Sequence, residues 1–530
     1  MFQQQDFDLA GKEPPQTTSL IRDLELEVMF DAMSSGDPFL HKVARAAVLT
    51  SLDSVESIQY RQAVLEDCLR QPAVVRETYG IAVEALEREK KIWGWSSMRR
   101  QPDSSLHRSV EVLQLFVSIL KRLRRTAEQH AGKFRSEGFT ALFKMLMQEL
   151  DDQYLHEVEA HLGQLAFRAG LVMSAELGSW NKGSKYTLNR SPDLPATNWW
   201  DRLQAWVEGS FGPQDERYVY QIADRDEAGF RALAELRNRG IARVAAALVR
   251  STSHILSFFE MLRLELAFYV ACLNLHEKLG QKGEAVCMPK ALPAGDSTLI
   301  ARGLYDVCLS LSFSEQAVPN DVDGKGKRLV MITGANRGGK STFLRAIGQA
   351  QLMMQCGLFV GAQQFRVDVC SGLFTHYKRE EDSAMKSGKL DEELGRMSAI
   401  VRQVKANGVV LLNESFGSTN EREGSEIARG IVRALIEKNI KVFYVTHLFH
   451  LAQSFWRDRL QEVLFLRAER LQGGKRTFRV LEGEPLSTSF GEDLFQRIFG
   501  VPIESRPSLM PVRVTEPVRG PASARSTERG

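Results

Sequence analysis

"RLVMITGANRGGKSTFLRAIG", residues 328–348, runs from an apolar stretch through a glycine-rich turn into an amphipathic one. The first six residues carry the apolar types of a buried strand. The segment from Ser341 repeats its apolar positions at helical steps. Between them Gly334, Gly339, Lys340 and Ser341 satisfy G-x-x-x-x-G-K-[ST]. Strand, turn and helix in that order curl backbone N–H groups around a phosphate and point a positive helix end at it. The stretch predicts a Walker A P-loop. Gly334, Gly338, Gly339 and Thr342 belong to its phosphate cradle. Lys340 is expected to bridge the β- and γ-phosphates of ATP, and Ser341 to hold Mg2+.

Two further strand ends bear on the same chemistry. "GVVLLNESFGSTN", residues 408–420, delivers Asn413 and Glu414 from an apolar run. In P-loop ATPases a strand-end acid secures the metal, and a following Glu can polarise the attacking water. Glu414 fits the second role. Asn413 keeps an oxygen acceptor but lacks the charge, so it is expected to assist Ser341 with a weakened hold on Mg2+. The plainer alternative is a buried strand ending in polar residues. "KVFYVTH", residues 441–447, places His447 at another strand end. That strand is expected beside the P-loop strand, at the sheet edge where ligands bind. His447 is therefore a candidate nucleotide-sensing or catalytic residue, the alternative being an ordinary satisfied histidine.

Working outward, the chain divides by texture. After Pro289 short β-rich runs alternate with helical ones, which predicts a largely parallel sheet flanked by helices. Before it the dominant signal is helical. Residues 19–52 show helical periodicity broken at Ser34–Pro38, residues 58–93 repeat it with a break at Pro72, and residues 104–132 and 139–167 each read as one long amphipathic helix. Residues 181–200 read as a loop or a short hairpin. Residues 226–280 run without proline and predict a single helix of roughly 75 Å. The expected division is an N-terminal arm at 1–19, a helical region at 20–290, an α/β region at 291–504 and a disordered tail at 505–530.

At 530 residues, 43% apolar and 25% charged with net charge +3, the composition is that of a globular chain of several domains and neither demands nor excludes nucleic acid. No apolar run approaches the ~20 residues that cross a bilayer, and the first residues lack the basic flank and apolar core of a signal peptide. The six cysteines form no C-x-x-C pair and read as reduced, mostly buried residues of a cytoplasmic protein.

In this order the motifs resemble the ATPase domain of the MutS family of DNA mismatch-repair proteins. The family's V-P-N-D appears as "AVPNDVD" (317–323) and its G-P-N-M-G-G-K-S-T as "GANRGGKST" (334–342). Its D-E-x-G-x-G-T appears as "NESFGSTNEREG" (413–424), its T-H-Y-F-E-L as "THLFHLA" (446–452), and its terminal S-Y-G segment as "STSFGEDLFQRIFGVP" (487–502). The resemblance covers about 304–502 and, less closely, the family's core and lever helices in the first half, as in "SLDSVESIQYRQAVLEDCL" (51–69). It implies an α + α/β multidomain protein: a long-helix core/lever region followed by a P-loop ABC-type ATPase domain with a mainly parallel sheet. It also makes Asn336 a phosphate contact, and implies a homodimer through the ATPase half, DNA as partner and DNA repair as the setting. The sequence begins almost at the family's lever, so a counterpart of its mismatch-reading domain is not expected in these 530 residues. The family's S-G-x-S-T-F-M loop, which acts across the dimer, corresponds to "SGKLDEEL" (387–394), with Leu390 where the serine stands.

These readings predict a dimeric DNA-stimulated ATPase or ATP-switched clamp. Candidate contacts to DNA phosphates are the basic run at 121–135 and Lys182, Lys185 and Arg190; the bland alternative for the run is a solvated helix face. The rival function is an ATP-bound structural switch that recruits a protein partner, such as a repair protein, and turns over little. An SMC-like ATPase would need an L-S-G-G-Q helix, and the sequence has none.

Overall fold

Helices dominate the first half of the chain because apolar residues recur there at three- and four-residue steps. The computed structural model describes residues 9, 16–94, 102–165, 172–177, 183–189, 227–379, 388–471 and 476–485. The helices are Thr17–Asp23, Leu26–Ser34, Pro38–Leu49, Val55–Arg70, Pro72–Gly94, Pro102–His130, Glu137–Glu149, Asp152–Leu165 and Glu227–Gln281. Their starts follow local chemistry. Asp37 accepts from the N–H groups of Phe39 and Leu40 with Pro38 at the first helical position, and Pro72 opens the helix after the break at Gln71.

Two helical readings need correction. Residues 139–167 do not form one helix: the chain breaks at Leu150 and Asp151, where the Asp151 carboxylate accepts from Tyr154 N at 2.7 Å and restarts the next helix. Periodicity misses this break because both pieces pack on the same helix, Pro102–His130. Residues 19–52 break once more, at Leu24 and Glu25, where Glu25 adopts a left-handed φ of 55°.

The helix Glu227–Gln281 has 55 residues, about 80 Å at ~1.5 Å per residue. It packs against Pro72–Gly94 and Pro102–His130. Strands β1 (Val172–Leu177) and β2 (Gly183–Asn189) pair antiparallel, so the start of the 181–200 segment is half of a hairpin.

The remaining strands are β3 (Lys290–Leu292), β4 (Leu299–Leu304), β5 (Asn320–Asp323), β6 (Leu329–Thr333), β7 (Gln364–Asp368), β8 (Leu373–Tyr377), β9 (Val409–Asn413), β10 (Lys441–Val445), β11 (Val463–Arg470) and β12 (Arg476–Glu482). The main sheet runs β12-β11-β6-β10-β9-β8 and is parallel except for β12 on β11. A smaller sheet runs β3-β7-β4-β5. Strands β6, β8 and β10 are buried along their whole length, as expected of a sheet covered on both faces.

Successive residues of the main sheet face different neighbours. Leu329 and Met331 join the apolar cluster under the helices Glu421–Glu437 and Phe449–Asp458. Val330 and Ile332 join the cluster under the P-loop helix Lys340–Gln355. That second cluster also takes in Leu24, Met29 and Phe30 from the first helices and Phe259 to Leu279 from the long one, so one core joins both halves. Where the two halves meet, a Cβ on Gly348 would lie 2.7 Å from Leu411 and 2.8 Å from Leu24. Gln349 fixes the same junction, donating to Leu24 O at 3.0 Å and to Asp306 at 2.8 Å.

Among the described residues no helix is long and apolar enough to cross a membrane, and no group of His, Cys, Asp or Glu is arranged to hold a metal ion. All six cysteines are free and five are buried. The tail at 505–530 and the segment at 487–502 lie outside the described residues.

Candidate active site

Strand β6 ends at Thr333, and the chain turns through Gly334 at φ 113°. A Cβ on Gly334 would come within 3.0 Å of the Ala468 backbone nitrogen; one on Gly338 would lie 2.8 Å from the Ala468 side chain; one on Gly339, at φ 91°, would lie 2.9 Å from Phe478 O. The loop thus needs its glycines because β11 and β12 press against it. Asn336 and Arg337 stand exposed at the tip.

Lys340 begins the helix and is only 4% exposed. Its ammonium donates to the carbonyls of Gly334 at 3.0 Å and Ala335 at 2.8 Å. Burial lowers its pKa to about 8, against the pull of Glu414. The ammonium's hydrogen bonds go to neutral carbonyls, so its positive charge remains at the loop, which fits a triphosphate.

Parallel pairing brings three strand ends together: β10 lies between β6 and β9, with Val445 beside both Ile332 and Asn413. Ser341 Oγ donates to Asn413 Oδ1 at 2.9 Å. His447 Nε2 lies 3.0 Å from Glu414 Oε1. That hydrogen bond, with the charges of Lys340 and Lys378, holds the Glu414 carboxyl below its ordinary value. Lys340, Ser341, Asn413, Glu414 and His447 therefore meet at one edge of the sheet.

Thr342 and Gly339 line an adjoining cavity of about 580 Å³, which Asn320, Phe313 and Phe478 also border. Phe313 is 61% and Phe478 48% exposed. Sequence reasoning missed both rings, since periodicity does not mark an apolar residue left outside the core. The Asn of V-P-N-D carried a usable signal: Asn320 accepts from Val480 N at 2.7 Å and donates to Phe478 O at 3.4 Å, setting the cavity wall.

Other candidates stand apart. Leu390 lies in the first turn of the helix Lys389–Gln403, while residues 380–387 lie outside the described residues. In the basic run Lys121 pairs with Glu159 at 2.7 Å, Arg122 with Glu84 at 2.6 Å, and Arg124 with Glu128 and Asp152 at 2.8 and 2.9 Å. Three of its charges are thus answered within the chain, as on a solvated helix face. Lys185 falls in β2; Lys182 and Arg190 lie outside the described residues.

Comparison with known proteins matches the same two halves. Residues 53–282 match the MutS2 N-terminal domain family, and residues 330–502 match MutS domain V. The DNA mismatch repair protein MutS of Thermus aquaticus is 29% identical over 285 residues, 53% of this chain and 32% of that protein. The protein of the same name from Thermotoga sp. (strain RQ2) is 36% identical over 143 residues, 27% of this chain and 18% of that protein. That from Thermotoga neapolitana is 33% identical over 196 residues, covering 36% and 24%. The chain thus spans less than a third of the length of these relatives. With a helical half and a P-loop half that each match a MutS module, and a phosphate loop set where that resemblance requires it, the chain belongs to the MutS family.

Proposed function

We propose that this protein is an ATP-dependent DNA-binding protein of DNA repair or recombination, working as a dimeric DNA-stimulated ATPase or ATP-switched clamp and not as a mismatch sensor. The observation that carries the reading is the 2.9 Å bond from Ser341 Oγ to Asn413 Oδ1, beside buried Lys340 and the Glu414–His447 pair. In this reading residues 291–504 bind ATP and residues 20–290 hold DNA. Loop N–H groups from Gly334 to Thr342, with Asn336, cradle the phosphates, and Lys340 neutralises them. Ser341 and Asn413 would hold Mg2+, which draws charge from the transferred phosphoryl when bound. Glu414 orients and deprotonates the attacking water, and His447 fixes the carboxylate and senses the phosphate end. The adenine base would enter the cavity that Phe313 and Phe478 border, where exposed rings offer apolar surface to it.

The rival reading, an ATP-bound switch with little turnover, draws on Asn413, which brings no charge to the metal. Single-turnover hydrolysis with saturating Mg2+ and DNA separates the two. We expect slow but measurable phosphate release, lost in Glu414→Gln with ATP binding retained, and loss of ATP binding in Lys340→Ala. A wild type inert under these conditions overturns the ATPase reading in favour of the switch. Unchanged ATP affinity in Lys340→Ala overturns the P-loop assignment.

A further inference from the structure

Glu414 and Phe416 both have left-handed backbones, at φ 53° and φ 62°, with Ser415 fully buried between them. Positive φ is costly for residues of this size, so something must hold the turn. Phe416 is wholly buried and stacks on His376, with centroids 5.5 Å apart and planes 19° apart. His376 is buried in β8. Its Nδ1 lies 2.7 Å from Ser415 Oγ, and Ser415 Oγ lies 2.7 Å from the His376 carbonyl oxygen. Its Nε2 lies 3.0 Å from the backbone carbonyl of Glu393, in the helix Lys389–Gln403.

The partners assign the protons. A carbonyl can only accept, so Nε2 carries the hydrogen and donates to Glu393 O. Nδ1 is then an acceptor, and the single Ser415 hydroxyl proton is shared between Nδ1 and the His376 carbonyl. Burial, with Arg396 nearby, lowers the His376 pKa to about 4, so the ring is neutral and acts by its hydrogen bonds. The same turn is held from two more sides. Tyr444 of β10 donates to Ser415 O at 2.6 Å, and Ser418 donates to the buried Glu393 carboxylate at 2.9 Å.

We propose that His376 is a positioning residue for Glu414, tying the strained turn that carries this carboxylate, through Ser415, to the helix Lys389–Gln403. The proposal rests on the reading of Glu414 as the water-orienting group. Through these bonds a shift of the helix backbone at Glu393 is relayed to the turn without any contact to nucleotide. His376 does not touch the reacting atoms.

The test uses the full chain and two variants, Ser415→Ala, which removes one oxygen with little risk to folding, and His376→Asn. Under the proposal each lowers the single-turnover rate about 10- to 100-fold, the scale of a misplaced catalytic group, with ATP affinity by calorimetry unchanged. The double variant falls no further than the worse single one, because both act through one hydroxyl. A Ser415→Ala rate equal to wild type overturns the proposal, as do losses that multiply in the double variant or losses confined to ATP affinity. Glu414→Gln distinguishes the two levels. If it abolishes turnover while Ser415→Ala and His376→Asn do not, only the positioning role fails; if it leaves turnover intact, the role assigned to Glu414 fails and this proposal with it.

Discussion

Lys340 should impose a pH dependence on folding that a neutral replacement abolishes. Burial takes the ammonium from 10.5 to about 8. A fall of that size corresponds to about 3 kcal/mol of penalty on the charged form, at about 1.4 kcal/mol per tenfold. Below pH 8 both folded and unfolded chains hold the proton, and the penalty is present in full. Between pH 8 and 10.5 the unfolded chain binds more protons than the folded one, so stability rises with pH; above 10.5 the penalty is gone. Lys441 is also lowered to about 8, by burial at the opposite end of its strand, and adds a slope of the same sign. The informative quantity is therefore the difference between wild type and Lys340→Met in urea unfolding from pH 7 to 10.5, without nucleotide. Wild type should gain up to about 3 kcal/mol on the variant across that window. A saturating triphosphate should flatten the wild type's own pH slope, because phosphate charge favours the protonated ammonium. Parallel curves for the two proteins would refute the argument that Lys340 is a buried, undercompensated cation.

Three other outcomes can be checked. Asn413→Asp adds a charge beside Ser341; the gross attraction to a divalent ion at ~5 Å and a dielectric of 20 is about 6–7 kcal/mol. Desolvation cancels most of it, so the Mg2+ midpoint of hydrolysis should fall about tenfold, ~1.4 kcal/mol. Gly348→Ala forces a methyl onto Leu411 and Leu24 and should cost about 1–3 kcal/mol of stability in urea unfolding, with ATP contacts unaltered. Duplex DNA binding should weaken steeply with salt, at least tenfold between 50 and 200 mM, in a filter-binding or anisotropy titration. A flat salt profile would remove DNA phosphates as the ligand.

The strand, turn and helix around Gly334 were legible because each local signal agrees with the next: apolar run, glycines where backbone crowds, lysine at the helix start. His447 was legible because a parallel sheet aligns strand ends, and the order of β6, β10 and β9 brings it to Glu414. The break at Leu150 was not, since one helix supplies the neighbour for both pieces and the apolar rhythm continues through the turn. Nor was His376, whose partners lie 39 residues away at Ser415 and 17 away at Glu393. No spacing rule joins those positions. Only the pairing of β8 with β9 and the return of the helix bring them together. Phe416 is the one trace it left in the sequence: a bulky residue where the resembling pattern has glycine, which signals a turn with outside support.

The change from helices to alternating strands near residue 290 is a change of texture, and the apolar core runs straight across it. Leu24, Met29 and Phe30, from the turn after the helix Thr17–Asp23 and from the helix Leu26–Ser34, are fully buried in the cluster that also covers Ile332 and Leu344 of the P-loop strand and helix. A fragment starting at residue 291 would bare that side of the P-loop helix, and a fragment ending at 290 would present the same greasy surface from the other side. Neither piece should be recovered as a well-behaved monomer. Heating the whole chain should melt strand edge and first helices together, as one calorimetric event, so that damage far from the phosphate loop is felt there as lost solidity.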